Sequence, residues 1–544
     1  MPEIKNMKDL QASEDMASRK TATLVRTGEM AATADRHDGD DGQNGYKGQK
    51  RRNGHLTSGR LLARNTVWNL VGSGGPMVVA IFCIPVLIKE LGTDRFGVLT
   101  LAWAVIGYAG LFDLGLGRAL TQLVAKKLGA GEDRDVPTLV WTSLLLMLAL
   151  GLLGAVFVVL LSPWLVYRAL HIPPALQREG LRSFYLLGLS IPVVISTAGL
   201  RGLLEAHQRF GMINALRVPM GVFSFTGPLL VLPFSQSLFP IVAVLVAGRL
   251  FAWIAHLLLC LRVLPELRRG IVWQRALIST LLRFGGWMTV SNIVGPLMVT
   301  LDRFLIGALI SVSAVAYYAT PYEVVTKFWL IPGALVGVLF PAFSTSSAQD
   351  RNRTALLFGR SVKCILLVLF PVILLVIAFA QDGLTVWLGA AFAANSVRVL
   401  QWLAVGVFIN SLAHVPFALV QGVGKPDLTA KLHLLELPVY LGALFWLTKR
   451  YGIEGAAIAW TGRVTLDALV LFAMARKLLP IETSFRPQTT LFSVLALVSL
   501  VLAALLQGLL FKSVFLLLVI LSFVSVAWFR VLSPEERKLA QEFL

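Results

Sequence analysis

Charge is scarce in this chain of 544 residues: Asp, Glu, Lys and Arg make up 15% of it, while hydrophobic residues make up 56%. Soluble globular domains carry about 25% charge, so a water-facing fold of ordinary composition is excluded, and the mean hydropathy of +0.74 agrees. Cysteine is scarcer still, with three residues, Cys83, Cys260 and Cys364. All three fall inside apolar segments without CxxC spacing, which argues against a disulfide framework or a zinc site and for small buried hydrophobes. Acidic residues number 30 against 49 Lys and Arg, yet the basic residues sit mostly in short loops rather than on one soluble face, so nucleic acid is not an expected partner. A GxxxxGK[ST] phosphate loop is missing, which argues against direct ATP hydrolysis. No cofactor is expected.

Long apolar runs are what the chain has in abundance. Runs of roughly 20 residues recur from Leu61 almost to the C-terminus, each long enough to cross a ~30 Å hydrocarbon core as a helix. Barrel strands would be shorter and would alternate in polarity. The expected fold class is therefore an all-α polytopic membrane protein with about fourteen transmembrane helices. The spans start at Leu61, Phe96, Pro137, Leu181, Ile213 and Phe239 in the first half. Leu281, Val315, Leu356, Val397, Leu428 and Ile453 start those of the second, and Leu491 and Val514 begin a final pair.

Ahead of them, residues 1–59 are polar, rich in Gly and charge, and without an apolar signal core, which predicts a disordered cytoplasmic tail. Asp38-Gly39-Asp40 matches the DxD of metal-dependent glycosyltransferases in spelling, but without a surrounding fold. Arg51 and Arg52, Lys126 and Lys127, Arg268 and Arg269, Arg351 and Arg353, Arg476 and Lys477, and Arg537 and Lys538 fall on one side of this segmentation. The positive-inside rule makes that side, and both termini, cytoplasmic, although Lys449, Arg450, Arg168, Arg178 and Arg182 break the pattern.

The halves resemble each other. Val246-Ala247-Gly248-Arg249-Leu250 in the sixth span parallels Trp460-Thr461-Gly462-Arg463-Val464 in the twelfth. The segments from Gly202 to Phe210 and from Leu419 to Pro426 each open a basic loop after an apolar span. A duplicated six-helix unit accounts for both, with bundles over 60–270 and 271–480 and two extra helices and a short cytoplasmic tail over 481–544.

The stretch Ile84 to Ala125, with its LG-x-x-x-FG turn and a following helix carrying FDLGL, resembles the opening of bacterial O-antigen and exopolysaccharide flippases. These form the Wzx-type branch of the multidrug/oligosaccharidyl-lipid/polysaccharide exporter superfamily. Leu301 to Gly307 looks like that family's seventh helix. Gln421 to Pro426, followed by Tyr451-Gly452-Ile453-Glu454-Gly455, looks like its later repeat. The resemblance covers roughly Leu61 to Lys477 and implies a MATE-like fold of two six-helix bundles in the bacterial inner membrane. It further implies export of a glycan on undecaprenyl diphosphate, a polysaccharide polymerase and chain-length proteins as partners, and H+ or Na+ as the coupling ion.

A charge at the centre of a lone helix costs about 2.5 to 3.5 kcal/mol on insertion scales, so each intramembrane charge should face protein or a wet cavity. Arg249, Trp253 and His256 lie at i, i+4 and i+7, on one helical face that is expected to line a cavity. Arg463 has Asp467 at i+4, so a structural pair and substrate contact stay equally open. Asp302, Arg303, Glu323 and Lys327 form either an interhelical salt-bridge cluster or working groups. In the second case Asp302 or Glu323 binds a proton or sodium, and Arg303 or Lys327 anchors a diphosphate. The candidate cationic cavity is thus Arg249, Arg303, Lys327, Arg463 and His256; the ion-coupling candidates are Asp302, Glu323, Asp467 and Asp113. Asp113 with Arg118, and Arg201 with Glu205, sit near the cytoplasmic boundary, where loop anchoring or gating is the stronger reading.

Drug or metabolite antiport by a MATE-type exporter is the alternative, though cationic drugs would call for acidic cavity residues with few arginines. A peptidoglycan-precursor (lipid II-type) flippase also fits fourteen helices and a basic cavity. A glycan polymerase would need a sizeable outer loop; Ser162 to Gly180 is short and offers only His171 and Glu179 as proton carriers. A non-transporting scaffold is a further class. The chain is not expected to be an enzyme.

Overall fold

A computed structural model describes residues 59–108, 113, 115–336, 339, 343, 351–479, 487–534 and 536–537. The expected tail, with Asp38-Gly39-Asp40, lies outside them but for its last residue. The chain forms two compact units, Met1–Trp68 and Asn69–Leu544. The described residues of the second fold into helices, as backbone groups in lipid require, because hydrogen bonds closed within a segment leave no polar group facing hydrocarbon.

In chain order the helices are α1 (Gly59–Tyr108), α2 (Leu116–Ala130), α3 (Val136–Trp164), α4 (Pro174–Ala206), α5 (Phe210–Val231), α6 (Leu238–Val263) and α7 (Arg275–Leu309). Then come α8 (Val312–Val325), α9 (Arg351–Ala378), α10 (Ala380–Leu388), α11 (Ala390–Gly422), α12 (Pro426–Leu478), α13 (Pro487–Leu505) and α14 (Leu509–Val526). Among the described residues, eight helices are long and apolar enough to cross a membrane. The protein is a multi-pass membrane protein.

Two features differ from the expectation. The run from Phe96 to Val124 is broken between α1 and α2, where Gly115 adopts φ 74° and ψ 6° and its N–H is taken by the Asp113 side chain at 2.7 Å. Cys364, expected to be buried like Cys83 and Cys260, is exposed, so its thiol faces outward from the helix bundle.

Both glycine motifs of the resemblance turn out to be corners. Gly92 inside α1 has φ 74° and ψ 165°, and Gly452 inside α12 has φ 63° and ψ −144°, regions that are nearly closed to a residue with a Cβ. Each corner is followed by a second glycine at a close approach. A methyl on Gly97 would collide with the Val312 carbonyl, and one on Gly455 with the Leu447 carbonyl. Gly97 therefore lets the corner of α1 press against the start of α8 in the other half of the chain.

The main apolar core joins the two halves. It takes Leu87, Leu91 and Phe96 beside the first corner, Leu170 and Leu176, Val231 and Leu238, and Ile306 and Val312, then runs on through the second half. At the opposite end, which carries Lys126, Lys127, Arg268 and Arg269, a separate cluster of Leu120, Val140, Leu203, Cys260 and Leu267 lies in the first half and takes in Leu281 of α7. Another, around Ala413, Leu432 and Leu471, belongs to the second. The Gly92 and Gly452 end thus holds part of one large core common to both halves, and two smaller clusters lie toward the basic end.

The closing helices pack on α9: Phe523 stacks on Phe370 at 4.4 Å and on Phe492 at 4.6 Å. Lys363 of α9 then meets Glu536 at 2.7 Å. If the two corners require glycine, Gly92→Ala or Gly452→Ala should each lower the unfolding free energy by about 1–3 kcal/mol. Gly462→Ala, at a helical site with open space beside it, should be neutral or gain up to about 1 kcal/mol. Thermal unfolding in detergent checks this, and equal effects at all three positions would refute the need for glycine at the corners.

Candidate functional site

The first half presents one arginine to a cavity. Arg249, with Leu245 and Gly248 of α6, lines a pocket closed by Met220, Phe223 and Ser224 of α5 and by Trp103 and Ile106 of α1. Gly248 makes room, because a methyl there would strike the Phe223 ring at 2.6 Å. Among the described residues, no carboxylate or hydrogen-bond acceptor pairs with the Arg249 guanidinium. A bare guanidinium against an aromatic wall is a fork of donors waiting for an anion. The rest of the expected face does not join it. His256 is buried and its Nδ1–H donates to the Ala252 carbonyl at 2.7 Å, while Trp253 packs into the first half's own cluster.

The second half holds a buried polar network instead. Arg303 of α7 donates to Glu323 of α8 at 2.8 Å, and Lys327 meets the other Glu323 oxygen at 3.0 Å. Arg303 also lies over the Tyr322 ring, 5.2 Å from its centroid. Asp302, fully buried at 0% exposure, accepts from the Tyr318 hydroxyl at 2.7 Å. The interhelical salt-bridge cluster is therefore present, with Tyr318 rather than a cation serving Asp302.

Arg463 does not fold back onto Asp467. Its Nη1 approaches the Met298 sulfur at 3.3 Å and Glu436 Oε2 at 3.9 Å, and its guanidinium lies 5.6 Å from the Tyr440 centroid. Asp467 instead stands 3.7 Å from Nε2 of His433, which stacks on Phe417. One ring nitrogen of His433 and one carboxylate oxygen each of Glu436 and Asp467 lie within 4.8 Å of one another. Sequence reasoning singled out neither His433 nor Glu436. The signal was there: Glu436 is a carboxylate well inside the apolar span from Leu428, with His433 at i−3 and Tyr440 at i+4 on its face.

Other polar residues stand apart from these two groups. Asp113 caps the turn at Gly115, and Arg201 pairs with Glu205 at 3.3 Å along α4. At the other end Glu179 pairs with Arg95 at 3.4 Å and takes the N–H of Leu238 at the head of α6 at 3.2 Å. The His171 backbone N–H donates to the Gly307 carbonyl at 2.9 Å. Gln401 donates to carbonyls of Ile377 at 3.3 Å and Ala504 at 3.5 Å, tying three helices together.

A family model described as polysaccharide biosynthesis protein matches residues 62–347. The chain is 33% identical over 412 residues to a putative O-antigen transporter of Shigella flexneri, covering 75% of this chain and 96% of that one. It is 22% identical over 412 residues to the lipopolysaccharide biosynthesis protein WzxC of Escherichia coli, covering 74% of this chain and 77% of that one. Among solved structures, a multidrug resistance MATE family transporter in an inward-facing conformation aligns with TM-score 0.64 at 12% identity, over 75% of this chain and 97% of its own. The lipid II flippase MurJ in an inward closed conformation aligns with TM-score 0.63 at 13% identity, over 86% and 99%. At such identities the structural likeness concerns the fold alone.

The network makes a quantitative expectation. Glu323→Ala strands Arg303, which is 4% exposed, and should cost about 3–5 kcal/mol of stability. Lys327→Ala removes an exposed partner and should cost no more than about 1 kcal/mol. Comparable losses for the two variants in thermal unfolding would contradict this assignment.

Proposed function

We propose, from the premise that this chain belongs to the polysaccharide biosynthesis protein family, that it turns an undecaprenyl-diphosphate-linked oligosaccharide across the bacterial inner membrane. The unit passes from the cytoplasmic to the periplasmic leaflet for O-antigen or exopolysaccharide assembly. The substrate class rests on the alignment with a putative O-antigen transporter over 96% of that protein. Multi-pass helices and an anion-seeking cavity residue fit a transporter rather than an enzyme.

The mechanism follows from the solvent. A diphosphate and a polar glycan need a wet, cationic passage, while a polyprenyl tail can stay in lipid. Arg249, unpaired in its pocket, is the residue assigned to the diphosphate, and Arg303, Lys327 and Arg463 are exchangeable partners whose bridges are broken and remade. Fourteen helices, with bundles over 60–270 and 271–480 and a closing pair over 481–544, rock about the shared core by alternating access. The clusters toward the basic end are smaller than the common core, which supports a state that opens toward the cytoplasm, the side assigned to both termini. A proton or sodium gradient supplies the drive through Asp302, Glu323, Asp467 or Asp113. A polysaccharide polymerase and chain-length proteins receive the product.

Translocation of a fluorescent undecaprenyl-diphosphate oligosaccharide in proteoliposomes tests the reading. Arg249→Ala should slow it about ten- to a hundredfold, the equivalent of about 1.5–3 kcal/mol for a hydrogen bond to a charged group, with Arg249→Lys in between. Movement of cationic dyes without the lipid would replace this reading by drug antiport, and a preference for lipid II by a peptidoglycan-precursor flippase.

A further inference from the structure

Glu436 and Asp467 face each other across the Gly452 corner of α12, and the network around them does not balance. Glu436 lies ten residues from Pro426, so about 15 Å along the helix from its start. It is 3% exposed and Asp467 5%. Both oxygens of Glu436 and Oδ1 of Asp467 are buried without a hydrogen-bond partner. Two ionised carboxylates cannot sit this close in a dry interior, because like charges at such range prevent one of them from ionising.

The charges around the pair come from every helix packed on it. Arg463, His433 and Tyr440 belong to α12 itself. Asp302 and Arg303 reach in from α7, Tyr318 and Glu323 from α8, and Lys327 from the helical turn that follows α8. From α11, Phe417 covers His433, and His414 lies against Trp329. Among the described residues, the cations Arg303, Lys327 and Arg463 thus meet four carboxylates, Asp302, Glu323, Glu436 and Asp467. Asp302 has its donor in Tyr318, and Glu323 has two cations. The excess negative charge and the missing donor coincide at Glu436 and Asp467, and a single hydrogen supplies both. Na+ would favour a shell of oxygen ligands, whereas His433 offers nitrogen. A divalent ion would carry one charge more than the excess.

We propose that Glu436 and Asp467 hold one exchangeable proton between them, and that its release resets the angle between the two arms of α12. With the proton in place, an O–H of one carboxyl donates to the other and the arms are bridged. When it leaves to water, the pair carries two negative charges, Asp467 is pushed from Glu436, and Arg463 is drawn off the Met298 sulfur toward Glu436. His433 and Glu436 ride on the arm before Gly452, Arg463 and Asp467 on the arm after it, so the rearrangement acts across the corner. The role of this proton as the driver of transport rests on the flippase reading; the site itself does not.

Infrared difference spectroscopy of the full-length protein in proteoliposomes, perfused between acidic and alkaline buffer without substrate, reads the carboxylic C=O band directly. The expected result is the loss of one carboxylic group per chain on the alkaline side, abolished by Glu436→Gln and by Asp467→Asn and kept in Glu179→Gln. A band that survives both substitutions, or no titrating band in the unmodified protein, overturns the proposal. Protection from unfolding by sodium or zinc that both substitutions remove, with no such band, overturns it in favour of a metal cation. Lipid flipping with and without a pH gradient forms the second arm, in which Glu436→Gln should lose the gradient's acceleration. An intact band without any flipping would sink the flippase reading and leave the proton site standing.

Discussion

The cost of placing a charge in hydrocarbon governs this molecule. Hydrocarbon offers no water to the middle of a span, so every ionised side chain there has to find an opposite charge, a ring face or a polar cavity. The second half answers with a chain of contacts: Lys327 to Glu323, Glu323 to Arg303, Arg303 to Tyr322, and Arg463 to Tyr440 and Glu436. The first half answers with a cavity for Arg249. Arg463 is thus spent inside the protein, while Arg249 is left facing a pocket.

Much of the architecture could be read from the sequence because length and hydropathy are all that a lipid solvent asks of a helix. The expected stretches are helical over most of their described length, and the LG-x-x-x-FG and Tyr451-Gly452 motifs mark the corners of α1 and α12. The break before α2 escaped the length rule. An apolar run continues through it, and the chain turns there only because Gly115 takes a left-handed backbone and Asp113 caps it. Periodicity carries no sign of such a turn; a short polar side chain two residues before a glycine does.

The site was legible as a set of residue types and much less so as a set of contacts. Spacing found Arg303, Glu323 and Lys327, because partners one helical turn or one hairpin apart are constrained by the chain itself. It left Arg463 open between a pair with Asp467 at i+4 and substrate contact, while the side chain reaches across to Glu436 and Met298. Which way a long side chain swings depends on neighbours contributed by other helices, and one helix read alone cannot supply them. The same limit applies to Arg249, Trp253 and His256. They share a helical face, yet His256 is packed among neighbours while Arg249 faces a cavity wall built by α1 and α5.

The closing pair of helices packs on the second half of the chain. Phe370, Phe492 and Phe523 form a stacked column between α9, α13 and α14. Lys512 pins α14 to Asp382 of α10 at 2.6 Å, and Glu536 clasps α9 beyond it. Fastened at both ends and along its length, the pair rides on the second half. Any swing of the halves against each other therefore carries unequal loads through the surrounding lipid. The heavier arm sweeps more bilayer, so the thickness and viscosity of the membrane bear on one side of the motion more than on the other.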